Sequence, residues 1–96
     1  MNTVLNVQTA VQIAINYFKT IQNDLGDNIQ DIRLEEVEIS DDDKSWFITL
    51  GYDDPKQIPY NPILPDANYR QYERTYKIFE IAAETGKVKS MKIRKI

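Results

Sequence analysis

One stretch of this sequence repeats its apolar residues at a helical period, and it leaves the remainder few options. From Asn6 to Leu25, NVQTAVQIAINYFKTIQNDL, the residues Val7, Val11, Ala14, Phe18, Ile21 and Leu25 step by four and three. That spacing lines them along one side of a helix roughly 30 Å long. Asn6 or Thr3 offers the oxygen that a first-turn N–H needs, and Gly26 can take the left-handed conformation that closes a last turn. Ile13 and Tyr17 lie off the stripe. Such a helix does not hold in water by itself, and the strand-patterned remainder needs a cover. The pairing predicts an α+β domain in which the helix lies across a sheet.

The strands follow from alternation. In Ile32 to Ser40, Ile32 and Leu34 share one phase and Val37 and Ile39 the other. One extra residue at Glu35-Glu36 returns all four to a single face, so a β-bulge is predicted there. The turn Asp41 to Lys44 leads into Ser45 to Asp53, where Trp46, Ile48, Leu50 and Tyr52 share one face and Phe47 and Thr49 the other. Asp54 to Asn68 holds Pro55, Pro59, Pro62 and Pro65 and reads as an irregular crossing, because proline removes ladder donors. A third strand lies within Tyr69 to Ala83, with Phe79 and Ile81 in one phase and Tyr72, Arg74, Tyr76 and Ile78 in the other. Glu84-Thr85-Gly86 places glycine where a three-residue hairpin loop wants a left-handed residue. Val88 to Ile96 returns as the last strand, with Met91 and Ile93 inward and Lys92 and Arg94 outward. We expect one domain over residues 1–96: an N-terminal helix packed across a four-stranded antiparallel sheet. Its expected core is Val11, Phe18, Ile21, Ile32, Leu34, Trp46, Ile48, Leu50, Phe79, Ile81 and Ile93.

The run Tyr76 to Ile93, YKIFEIAAETGKVKSMKI, resembles the closing hairpin of PepSY-type domains, where a strand passes through a Thr-Gly turn into a lysine-bearing strand. The segment VQTAVQIAINYF is similar to the alanine-bearing helix that precedes the strands in that group. The resemblance implies a cystatin-like layout. PepSY-type domains are linked with secreted or membrane-associated proteins and with restraint of proteases, so it also implies a protease-restraining module as one functional expectation. The whole is similar, too, to small stand-alone bacterial proteins.

Composition narrows the chemistry. The chain has no cysteine and no histidine, which removes the thiol nucleophile, the imidazole base and the usual soft metal ligands. Ser40, Ser45 and Ser90 have no histidine to activate them, and Gly26, Gly51 and Gly86 form no phosphate-cradling loop. Counted from Asp41, a calcium loop of the EF-hand type wants glycine and glutamate where Trp46 and Tyr52 stand, so the acidic run is read as a turn. No enzymatic activity, cofactor, metal or small-molecule substrate is expected. The net charge of -3 argues against a nucleic-acid partner, which needs a basic face. No stretch has the length of a membrane span, and the opening residues lack a basic n-region, from which a cytoplasmic address is expected.

Charge is nonetheless polarised. Acids outnumber Arg33 and Lys44 from Asp24 to Asp54, whereas Lys87, Lys89, Lys92, Arg94 and Lys95 carry all the charge after Thr85. The sheet face turned away from the helix should therefore run from an acidic edge through an aromatic middle to a basic edge. We expect a non-enzymatic protein-interaction module acting through this face, with Phe47, Tyr72, Arg74, Tyr76 and Ile78 as contact residues. Tyr60 joins them in the proline-rich loop, whose Pro59-Tyr60-Asn61-Pro62 has PxxP spacing. The partner is another protein or a second copy in a homodimer; a homo-oligomeric structural or regulatory protein is the alternative.

Overall fold

The computed structural model describes residues 4–25, 29–56 and 71–95. Helix α1 spans Val7–Leu25, and four strands follow: β1 Gln30–Ile39, β2 Ser45–Lys56, β3 Gln71–Ala82 and β4 Val88–Arg94. The strands form one antiparallel sheet in the order β1-β2-β3-β4, so the predicted meander is present. The proposed Gly26 cap, Tyr60 and the PxxP stretch lie outside the described residues.

Asn6 is the N-cap: its Oδ1 accepts the Thr9 N–H at 2.8 Å. The buried line of α1 is Ala10, Ala14, Phe18 and Gln22, at four-residue steps, and so is rotated from the expected one. Val7 is 37% exposed and Val11 only half-buried. Apolar residues flank the line on both sides, so periodicity alone does not locate its centre. The sheet does, because Ala10 and Ala14 are small enough to bring the helix close to Ile48, Leu50 and Ile81. Phe18 fills the far end, its ring centroid 4.9 Å from Tyr52 and 5.8 Å from Phe79.

The fully buried apolar strand residues, Ile48, Leu50, Phe79 and Ile81, all lie on β2 and β3. Two expected core members are exposed instead, Leu34 at 46% and Ile93 at 68%; Ile32 and Trp46 are partly buried against the core, and Ile21 is half-buried outside it. Leu34 and Ile93 point to the helix side, but strand spacing of about 4.8 Å sets β1 and β4 roughly 14 Å apart, whereas a helix is about 10 Å across. The helix lies over the two central strands; on the edges Ile32, Val37, Val88 and Met91 are partly buried against the core, while Leu34 and Ile93 stay exposed.

The predicted bulge is there. Leu34 pairs with Leu50 and Glu36 with Thr49, leaving Glu35 as the extra residue. Val37 and Ile39 then fall opposite Ile48 and Trp46, on the helix side with Leu34. A second irregularity, between Gln30 and Arg33, has Asp31 in the left-handed region at φ 58. In the β1–β2 turn the Asp42 carboxylate accepts the Ser40 hydroxyl at 2.6 Å and the Lys44 N–H at 3.0 Å. These bonds hold its pKa below the ordinary aspartate value.

Gly86 has φ 78, as the hairpin reading requires, and the turn tucks beneath the helix. A Cβ there would stand 3.0 Å from Ile13 Cδ1 and 3.2 Å from Leu5 Cδ1. Leu5 is fixed on both sides: its N–H donates to the Ala83 carbonyl at 2.7 Å, and its own carbonyl accepts the Trp46 indole N–H at 2.9 Å. The irregular segment begins later than expected, since Asp54, Pro55 and Lys56 belong to β2 and pair with Glu73, Tyr72 and Gln71. β1 pairs with β2 no further than Asp53, so Pro55 sits where β2 has become an edge strand, as a proline in a ladder must.

Candidate interaction face

The registers place Phe47, Thr49, Gly51 and Asp53 of β2 opposite Glu80, Ile78, Tyr76 and Arg74 of β3. Glu38 and Glu36 of β1 oppose Phe47 and Thr49, and Lys92 and Arg94 of β4 oppose Ile78 and Tyr76. These residues share the face away from α1. Phe47, Arg74, Tyr76 and Ile78 are therefore brought together as anticipated, and all are half-buried. Tyr72 follows the same alternation and its backbone pairs with Pro55; its side chain and Tyr60 lie outside the described residues.

The electrostatics differ from a gradient between two edges, because cationic side chains cross the face. Arg74 reaches from β3 over β2 to β1: Nη1 is 3.1 Å from Asp53 Oδ1 and Nη2 is 2.9 Å from Glu35 Oε1. Its Nη1 also donates to the Asp31 carbonyl at 2.8 Å. Gly51 makes this possible. A Cβ on it would lie 2.7 Å from Glu35 Oε1 and 3.1 Å from Arg74 Nη2, so only a bare backbone lets the bulged Glu35 lie flat.

Arg94 spans the sheet from β4. Its Nη1 donates to Thr49 Oγ1 at 2.8 Å and its Nη2 lies 3.0 Å from Glu36 Oε2 on β1. The hydrogen bond from Arg94 is the main reason that the Glu36 pKa lies below the ordinary glutamate value. Thr49 is 1% exposed yet polar, and this bond is what satisfies its hydroxyl.

A third crossing joins Lys89, Glu80 and Ser45. Lys89 Nζ lies 3.0 Å from Glu80 Oε2 and 3.3 Å from Ser45 Oγ, and Ser45 Oγ donates to Glu80 at 2.9 Å. A serine beside a lysine suggests a nucleophile and its base. Here the lysine acts as a hydrogen-bond donor to a carboxylate, whereas a general base must accept a proton. Hydrogen bonds from Lys89 and then Ser45 hold Glu80 below its usual pKa, so it stays an anion that anchors both. The arrangement orders side chains without activating Ser45.

Sequence reasoning found the apolar members of this face and missed the polar frame. Gly51 inside a strand was the one available signal, since a strand glycine often marks a close approach. The frame's pairs are half-exposed, so each contributes little stability. Their effect is to hold long side chains in place around Phe47, Ile78 and Tyr76. No helix among the described residues is long and apolar enough to cross a membrane, and none of their acidic groups cluster as a metal site would need. No family model, no curated protein and no solved structure matches the chain, so the reading of this face rests on its own geometry.

Proposed function

We propose that the chain is a non-enzymatic, cytoplasmic protein-interaction module whose contact surface is the sheet face opposite α1. One observation carries the reading: Phe47, Ile78 and Tyr76 form a half-buried stripe on a face that α1 leaves free, framed by arginine and lysine side chains that their ion pairs already hold in place. Aromatic anchors with little freedom left to lose, within a polar rim, are what protein contacts favour. Arg94 meets Glu36 within one chain, which weakens the charge pairing that would draw two copies together across this face. A different protein is therefore favoured over a homodimer here. A protease-restraining role remains a narrower version of the same reading, supported by the PepSY-like hairpin sequence alone.

The test compares affinity capture from the native host by wild type and by Phe47→Asp and Tyr76→Asp, each variant first checked for native near-ultraviolet circular dichroism. At least one stoichiometric partner should be retained by wild type and lost by both variants. Identical captured sets would remove the face from the function.

A further inference from the structure

The edge strands carry a pattern that one chain uses only in part, in the ion pair of Arg94 with Glu36 across the sheet. On β1, Glu36 and Glu38 point to the free face, and Val37 and Ile39 to the helix side. On β4, Lys92 and Arg94 point to the free face, and Met91 and Ile93 to the helix side. The two strands are not neighbours; β2 and β3 separate them. Written antiparallel, however, they match residue for residue. Met91 falls opposite Ile39, Lys92 opposite Glu38, Ile93 opposite Val37 and Arg94 opposite Glu36, so that apolar meets apolar and cation meets anion at every step.

We propose that the chain associates head to tail, β4 of one copy accepting β1 of the next as a fifth strand, with Lys92 opposite Glu38. Direction permits it: strands alternate along the sheet, so a copy laid alongside in the same orientation presents its β1 antiparallel to β4, with both helices on one side. The exposed apolar edges supply the contact on that side, since Ile93 is 68% exposed and Ile39 41%. Lys92 and Glu38 are exposed and make no ion pair among the described residues. The matched stretch ends where both strands end it, at the Glu35 bulge on β1 and at Arg94, the last residue of β4. Pairing of like edges is refused, because β1 against β1 opposes glutamates and β4 against β4 opposes cations. The contact is heterologous: each added copy keeps one free acidic and one free basic edge, and growth does not stop at two. It uses the strand edges, so it stands or falls separately from the role of Phe47 and Tyr76.

Sedimentation velocity from micromolar to millimolar protein, at low and high salt, tests it. Wild type should rise in average mass past a dimer, and less so at high salt. Glu38→Lys and Lys92→Glu should each lower the association constant roughly tenfold, and the double variant, with the charges exchanged, should recover to within about threefold of wild type. Circular dichroism should be native in all three, because both side chains are exposed. A wild type that stays monomeric, an assembly that saturates at a dimer, single variants that associate like wild type, or a double variant no better than the singles would each overturn the proposal.

Discussion

Replacing Phe18 by alanine tests whether the helix sits on the sheet as described. The ring is fully buried, packed on Tyr52 and Phe79. Losing its transfer free energy costs about 1.5 to 3 kcal/mol, and the unfilled volume adds a cavity term that brings large-to-small changes of this kind to about 3 to 5 kcal/mol. A domain of this size holds of the order of 5 to 15 kcal/mol in total. With a urea m value of about 1.5 kcal/mol per molar, the midpoint should fall by roughly 2 to 3 M. Val7→Ala is the companion. Helical spacing alone gives Val7 and Phe18 equal standing, but Val7 is 37% exposed, and its truncation should cost less than about 1 kcal/mol. Urea melts followed by Trp46 fluorescence measure both. A Phe18→Ala loss below about 1 kcal/mol, or a Val7→Ala loss as large as that of Phe18→Ala, would refute the rotation of α1 onto Ala10, Ala14 and Phe18.

Gly86→Ala should destabilise by about 1 to 2 kcal/mol in the same melts, because an L residue is strained at φ 78 and its Cβ presses on Ile13 and Leu5; an unchanged midpoint would count against the turn. Stability should also fall in acid. Glu36 and Glu80 both have folded pKa values below the ordinary 4.5, so the stability they confer is complete above that value and is lost as pH falls through the depressed folded values. The double variant Glu36→Gln/Glu80→Gln should show a flatter loss of urea midpoint between neutral pH and the acid limb, and a profile as steep as wild type would reassign the acid sensitivity to other carboxylates. Gly51→Ala should displace Glu35 from Arg74 without unfolding the sheet, seen as loss of the arginine side-chain cross-peaks to Glu35 by NMR while the β2–β3 amide pattern persists.

Much of this fold was legible as local chemistry. The helix extent follows from its apolar repeat and from Asn6, whose carboxamide can cap only the turn that starts beside it. The bulge at Glu35 follows from a phase break that would otherwise turn two of four apolar residues to water. Gly86 follows from the backbone torsion its turn demands. Each concerns a residue and its immediate neighbours in the chain, where sterics and period leave few choices. The stripe Phe47, Tyr76 and Ile78 was readable for the same reason, since alternation assigns a face without reference to distant strands.

What tertiary structure decided was everything that depends on widths and reaches across strands. Ala10, instead of Val7, lines the core because the sheet selects the side of α1 that allows closest approach, and flanking apolar residues hide that choice from the sequence. Leu34 and Ile93 have core chemistry but stand on the edge strands, where the helix leaves them exposed while Val37 and Met91 beside them are partly buried. The frame of Arg74, Arg94 and Lys89 is farthest from the sequence: Arg94 meets Thr49 and Glu36 only because the sheet lays β4 within reach of β2 and β1, and long cations choose partners by reach in space, which residue order does not encode.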